Sequence, residues 1–333
     1  MNIFYNPKSK NYDPRFEIFD GEIVEHADNP GRIDSIFNQL SKEKYNFVEV
    51  NFGDNSELIS QIHTPEYLSF LEGLKNNLDH GLFPSIWNYS EYHNNLPERL
   101  LINCSNFCFD TLTPFTSDIL DLATESVDLA IAAANSSIQN QNTNYAMCRP
   151  SGHHALRGMA GGYCYLANAS IAAQYAINNG LRPCILDIDF HHGNGAQEIW
   201  YDSNEVLTLS IHRKNKFPYF TGFETEIGVK AGVGWNKNLT FEEGVIESEY
   251  LELVKKMIEE IKIKKIDFLI ISAGFDTYKL DPICDGRLEI ESYEKIAKLI
   301  SELGIPTVIL QEGGYHIEDL GICVDSFLSG FRI

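Results

Sequence analysis

Residues 183–195 read Pro-Cys-Ile-Leu-Asp-Ile-Asp-Phe-His-His-Gly-Asn-Gly, an apolar run that passes without a break into a dense polar cluster. The apolar half, 183–188, is short and continuous, as expected of a strand buried on both faces of a parallel sheet. Alternate residues of a strand share a face, so Asp187, Asp189 and His191 point the same way. Two carboxylates and an imidazole at the end of a buried strand carry a large desolvation cost unless a cation sits among them. An exposed polar loop would need no cation, but the hydrophobic strand in front of the cluster argues for burial. Asp with His suits Zn²⁺, and ligand softness also admits Fe²⁺ or Mn²⁺.

The same grammar recurs on either side. From about residue 117 the pattern predicts helices at 118–139, 165–179, 196–201, 241–262, 290–303 and 318–328, alternating with strands at 144–148, 183–188, 206–211, 267–272 and 306–310. Unbroken apolar strands between amphipathic helices predict a single-domain, doubly wound α/β fold, its mainly parallel sheet covered by helices on both faces. A polar excursion at about 76–98 is expected as a long loop inserted in that one domain. Four strands run straight into polar clusters, at 149–154, 187–194, 273–281 and 311–316. Open parallel sheets bind ligands beyond the carboxyl ends of their strands, so these clusters are expected to share one rim.

Composition sets the outer bounds. The chain has 333 residues, 44% hydrophobic and 22% charged, with 24 glycines, which excludes disorder, collagen-like repeats and coiled coil as the dominant state. The net charge of −21 repels phosphate backbones and anionic lipid, so neither nucleic acid nor membrane is expected as a partner. The first residues lack a basic segment followed by an apolar run. The apolar stretches are far shorter than the ~20 residues that cross a bilayer. Seven cysteines without a C-x-x-C pair read as free thiols, and the expected compartment is the cytoplasm.

Two ligands from one strand end are too few, and Asp276, which follows the strand at 267–272 through a glycine, is the natural third. The same residue could instead cap a helix. Three protein ligands with an open fourth position is the pattern of catalytic zinc. His153-His154, after Arg149-Pro150-Ser151-Gly152, can serve as general base and acid in a buried crevice. Asp187 and Asn194 would then accept hydrogen bonds from the two ring N–H groups and set the basicity of each imidazole differently. Glu312-Gly313-Gly314-Tyr315 permits a tight turn that aims a phenol into the crevice, where its O–H could stabilise an oxyanion. A surface histidine pair and a buried structural tyrosine are the plainer alternatives.

Taken together, RPSGHHA (149–155), GGYCYLANASIAAQ (161–174), DIDFHHGNG (187–195), LSIH (209–212), SAGFD with the following DP (272–282) and EGGY (312–315) resemble the arginase–deacetylase fold, specifically the histone deacetylase and acetylpolyamine amidohydrolase family. EIFDGEIVEHADNPGR (17–32), FPYFTGFETEIG (217–228) and DTYKLDPI (276–283) are closer to the bacterial acetylpolyamine amidohydrolases. The resemblance implies one Zn²⁺ on Asp189, His191 and Asp276, with His154 as principal base and His153 as electrostatic partner and acid. Asp187 would pair with His153, Asn194 would face His154, and Tyr315 would be the oxyanion donor. It makes Tyr163 and Phe217 the aromatic walls of a substrate channel and gives Gly162 a carbonyl for the scissile N–H. It adds a structural K⁺ bound by Asp187, the Ser210 hydroxyl and main-chain oxygens at Asp189, His191 and Ile211. A second cation site would lie at Trp200, Ser203 and Val206. The 76–98 loop would cross a homodimer interface and narrow the channel mouth.

Departures from the family pattern are few. Ser151 stands where a second proline is common, Ala167 replaces the first of a frequent Asn pair, Asn194 is Asp in some branches, and 238–240 lack the usual Pro-containing turn. Ile283 occupies the channel position where a eukaryotic polyamine-selective branch carries a glutamate gate, so an acidic gate has to come from elsewhere, such as Glu91 or Glu98. The activity implied is removal of acetyl or acyl groups from acetylated amines. Acetylpolyamines are the first choice of substrate and protein acyl-lysine the alternative. An arginase-like ureohydrolase would need another Asp where His191-His192 stand, and an inactive binding module would have lost one of the groups retained here.

Overall fold

Runs of Val, Ile and Leu at Pro183–Asp187, Phe268–Ala273 and Thr307–Gln311 are buried along their whole length. In the computed structural model, which describes residues 1–50, 53–75, 81–84 and 104–332, they lie side by side in the middle of an eight-stranded sheet. In chain order the strands are β1 (Asn2–Tyr5), β2 (Phe16–Phe19), β3 (Glu22–Glu25), β4 (Asn46–Glu49), β5 (Thr143–Ala146), β6 (Pro183–Asp187), β7 (Leu207–Arg213), β8 (Asn236–Phe241), β9 (Phe268–Ala273) and β10 (Thr307–Gln311). The sheet order is β4-β1-β5-β10-β9-β6-β7-β8 with every pairing parallel, and β2 and β3 form a separate antiparallel hairpin.

The α-helices among the described residues are α1 (Gly31–Leu40), α2 (Ser56–Ile62), α3 (Pro65–Leu74), α4 (Ile119–Asn140), α5 (Asn168–Asn178), α6 (Asn194–Trp200), α7 (Glu247–Lys264), α8 (Ile290–Ser301) and α9 (Ile317–Ser329). They cover both faces, and the strand residues divide by the two-residue period. Ile185, Ile270, Val308 and Leu310 join the alanine-rich sides of α4 and α5 in one core. Leu186, Leu269, Ile271 and Ile309 join Ile36, Val254, Ile296 and Val324 of α1, α7, α8 and α9 in the other. The architecture is the doubly wound α/β fold expected from the pattern.

Two expectations need correction. The predicted helix over 241–262 begins only at Glu247, because Asn236–Phe241 is an edge strand paired with β7. Its inward positions are Asn236 and Asn238, buried through hydrogen bonds to Gln197 (2.8 Å each) rather than by apolar contact, so no hydrophobic signal marks it. The N-terminal strands β1 and β4 were also not anticipated, being only four residues each. Of the 76–98 excursion, residues 76–80 and 85–98, including Glu91 and Glu98, lie outside the described residues. Among the described residues no helix is long and apolar enough to cross a membrane. All seven cysteines are free.

The order of the central strands has the functional consequence. β5, β10, β9 and β6 are consecutive neighbours, and each is followed by one of the four polar clusters. Parallel pairing puts all four carboxyl ends on the same rim, so residues up to 160 positions apart meet there, as Gly152 does with Glu312.

Candidate active site

β6 ends at Asp187, so Asp189 and His191 lie just beyond the strand rather than on its continued face, and Asp276 follows the end of the neighbouring β9. The His191 Nδ1 lies 3.0 Å from Asp276 Oδ2 and 3.3 Å from Asp189 Oδ1. Ligand atoms at about 2.0–2.1 Å from one tetrahedral ion stand roughly 3.3 Å apart, so His191 is at ligand spacing from each of the two carboxylates. Both carboxylates are fully buried and His191 is partly open to the cavity in front. Burial and the neighbouring Asp189 push Asp276 up to about 7. Against its burial, His191 rises to about 9 through the two carboxylates. That electrostatic tension is what a divalent cation would relieve, and the donor set fits one. Other oxygens hold the ligands in place: Phe190 N–H donates to Asp276 Oδ1 at 2.9 Å, and Gly313 N–H to Asp189 Oδ2 at 2.9 Å. A Cβ on Gly313 would stand 2.6 Å from Asp189 Oδ2 and 2.8 Å from Asp276 Oδ2, so only glycine lets this turn close over the ligands. Cys284, to which the sequence reading gave no role, brings its Sγ within 3.8 Å of Asp276 and 4.0 Å of His191 Nε2.

The two adjacent histidines are set apart by their partners. His153 Nδ1 donates to Asp187 Oδ2 at 3.0 Å, and its Nε2 lies 3.8 Å from Asp189. Burial disfavours its charge, but Asp189 and Asp187 overcome this and raise it well above the usual histidine range. His154 Nδ1 faces the neutral Asn194 Oδ1 at 2.6 Å. Burial and the cationic His153 and His191 hold it well below the ordinary value. One imidazolium and one neutral imidazole therefore stand with ring centroids 3.9 Å apart. The neutral one keeps Nε2 free toward the cavity.

That cavity has a volume of about 680 Å³, and His154, His191, Gly162, Tyr163, Phe217, Ile283 and Tyr315 all line it. Phe217 sets its ring edge-on over His154 at 4.9 Å, and Tyr163 meets Tyr315 at 6.0 Å. Gly162 adopts φ +53°, and a Cβ there would collide with the His154 ring. Tyr315 is oriented by its N–H to Asp281 Oδ2 (2.8 Å) and by the Arg32 guanidinium 4.9 Å from its ring centroid. Burial pushes the Tyr315 phenol well up, which keeps it a donor. Ile283 sits at the mouth with 46% of its surface exposed.

Asp187 and Ser210 lie opposite one another across β6 and β7, as a shared cation site requires. Trp200 ends α6, and Ser203 and Val206 fall in the turn that follows, where Ser203 N–H bonds Trp200 O at 3.0 Å. That turn does not reach the cavity.

Four side chains were missed. Glu17 lines the cavity wall, 4% exposed, and accepts from the Tyr163 hydroxyl at 3.0 Å. Burial pushes its carboxyl up to about 7. Glu17 is the buried residue of β2, between Phe16 and Phe19, which are 45% and 47% exposed. An acid turned inward on a strand with phenylalanines outward inverts the usual pattern. Asp28, Arg32 and Arg149 form a buried cluster beneath the site, with Asp28 Oδ1 2.6 Å from Arg32 Nη1 and 2.8 Å from Arg149 Nε. No local periodicity marks such a long-range pairing.

Comparison with known proteins adds to this geometry. Residues 26–331 match the histone deacetylase domain. Acetylpolyamine amidohydrolase 2 of Pseudomonas aeruginosa is 31% identical over 340 residues, spanning 100% of this chain and 99% of its own. An acetylpolyamine amidohydrolase of Burkholderia pseudomallei is 37% identical over 281 residues, 82% of each chain. A crystal structure of acetylpolyamine aminohydrolase from the same organism superposes with a TM-score of 0.93 at 32% identity, over 99% of this chain and 98% of that one.

Proposed function

The chain belongs to the histone deacetylase family and is a hydrolase of amide bonds, and from that premise we propose that it removes the acetyl group from acetylated polyamines, with one Zn²⁺ held by Asp189, His191 and Asp276. The observation that carries the reading is that His191, in contact with Asp189 and Asp276, lines one cavity together with His154 and Tyr315. A divalent ion bound there supplies Lewis-acid polarisation of the acyl carbonyl and the attacking water. His154 Nε2 takes the proton of that water as its oxygen joins the carbonyl carbon. Tyr315 O–H donates to the oxyanion, while the Gly162 carbonyl accepts the scissile N–H and orients the amide. As the C–N bond breaks, a protonated histidine gives its proton to the leaving nitrogen, and acetate and a free amine depart. Tyr163 and Phe217 keep bulk water from the reacting atoms.

The acetylpolyamine reading draws on charge. Among the described residues, Glu17, Asp20, Glu25 and Asp110 line the cavity together with Lys216, an excess of carboxylates. With Ile283 in place of a gate glutamate, Glu17 is the acid best set to meet a distal ammonium. The apolar Ile283 at the mouth is the one observation that favours the acyl-lysine alternative. Steady-state assays with acetylputrescine, acetylspermidine and an acetyl-lysine peptide separate the two. Preference for the polyamines is expected, and about a hundredfold preference for the peptide would reverse the assignment.

Two more predictions belong here. Tyr315→Phe should lower kcat by about 10²–10³ with the metal content unchanged, since one oxyanion donor is lost. Undiminished turnover would reject that role. Glu17 titrates near 7, and its charged form is the one that attracts a cation. The KM for acetylputrescine should therefore rise by about tenfold as pH falls from 8 to 6, and Glu17→Gln should abolish this dependence. A pH-dependent KM surviving in that variant would remove Glu17 from recognition. The same reading includes a structural K⁺ at Asp187 and Ser210 and a cytoplasmic homodimer. The apolar Phe16, Phe19 and Phe220, exposed beside the mouth, support such an interface.

A further inference from the structure

We propose that Glu312 is a positioning residue: its carboxylate clamps the tandem-histidine segment to the turn that carries Tyr315, so that the base and the oxyanion donor are held as one rigid unit. The inference rests on the deacetylase reading for the roles of His154 and Tyr315. Glu312 is fully buried at the end of β10, next to β5 in the sheet. Its Oε2 accepts from two consecutive backbone amides, Gly152 N–H at 2.8 Å and His153 N–H at 3.2 Å. These amides lie beyond β5, where the sheet ladder has ended, and buried N–H groups need an acceptor. On the opposite side of the same residue, Gly195 N–H donates to His153 O at 2.9 Å, and Asn194 Nδ2 reaches His154 O at 3.3 Å. The histidine segment is thus gripped from two sides, by the 312–315 turn and by the start of α6.

A clamp needs a fixed anchor, and the main chain of Glu312 is one. Its N–H donates to Ala273 O at 3.0 Å, and its carbonyl accepts from Gln311 Nε2 at 3.0 Å and from Arg32 Nη2. Arg32 also donates to Gly314 O at 2.7 Å and lies against the Tyr315 ring. Two residues, Gly313 and Gly314, separate the carboxylate that holds His153 from the phenol that faces the substrate. The other oxygen, Oε1, is buried and has no hydrogen-bond partner. An apolar residue of this volume would spare the desolvation of a buried carboxylate. What it could not do is receive the two amides.

The test compares kcat, KM for acetylputrescine, bound metal, and amide hydrogen exchange over residues 149–155 in three variants. Glu312→Ala removes the acceptor and is expected to lower kcat by about 10²-fold with KM changed less than about threefold, since displacements near 1 Å cost that much. The Gly152 and His153 amides should lose protection while metal content stays at the wild-type level. Glu312→Gln returns an oxygen to the same two amides and should recover kcat to within about tenfold of wild type. If Glu312→Ala does not fold, Glu312→Asp draws the carboxylate back by one methylene and should show the same losses. An alanine or aspartate variant within about threefold of wild-type kcat, or a glutamine variant no better than alanine, overturns the proposal. The amide exchange reads the clamp whether or not the wild-type protein hydrolyses acetylated amines, so failure of the function and failure of the clamp give different results.

Discussion

Replacing His154 with alanine is expected to lower kcat by about 10³-fold, with KM and bound metal little changed, because a positioned general base contributes on that order. The basis is the contrast between the two histidines. His154 bonds a neutral amide and is held below its ordinary range by burial and the cationic His153, so its Nε2 is a free acceptor at neutral pH. His153 bonds a carboxylate and is held protonated, so it can stabilise negative charge but cannot accept a proton first. His153→Ala should therefore retain more turnover than His154→Ala. Steady-state kinetics with metal analysis of each variant decides the matter. A His153 variant more damaged than the His154 variant would exchange the two roles.

Asp28→Asn is expected to lower the unfolding free energy by about 3–5 kcal/mol, the usual result of removing one member of a buried ion cluster. Arg32 and Arg149 are 2% and 1% exposed, and Asp28 is the carboxylate whose oxygen bonds both guanidinium groups. Asparagine keeps the shape but leaves two buried positive charges facing a neutral amide. The pH dependence follows from the sign of the shift. Burial alone would raise Asp28, but Arg149 and Arg32 hold it down to about 2, against an ordinary value of 3.8. Its contribution is therefore complete above about pH 4 and lost as the pH falls toward 2. Urea unfolding should show the wild type losing stability across that acid window and the variant losing less of it. A loss below about 1 kcal/mol for Asp28→Asn would mean that the cluster contributes little to the fold. Because Arg32 also holds Glu312, Gly314 and Tyr315, the variant should lower kcat as well.

The legible part of the site was the part written in local sequence. Asp187, Asp189 and His191 stand at the end of a buried apolar strand, and the local sequence marks that strand and its polar end without knowledge of the rest of the chain. Asp276, the His153-His154 pair and Tyr315 each follow an apolar strand, and the rule for ligands at strand carboxyl ends predicts one rim for all of them. Glu17 and Asp28 were not legible in the same way. Each lies in the N-terminal segment ahead of the regular pattern, and each meets a partner more than a hundred residues away, Tyr163 and Arg149 respectively. β8 escaped notice because its inward residues are asparagines satisfied by Gln197, so a hydrogen-bond network stands where an apolar signal would have been.

From the amino-acid order alone one obtains a parallel sheet covered on both faces, the four polar clusters at strand ends, and the residue types able to bind a divalent ion and move a proton. These follow from short-range physics, namely the period of side chains along a strand and the cost of burying charge without a partner. The tertiary structure alone decided which strands are neighbours, and therefore that Glu312 reaches Gly152 and that Glu17 enters the cavity wall. Protonation and positioning depend on distances of about 3 Å between residues far apart in the chain, and such distances exist only once the strands have taken their order in the sheet.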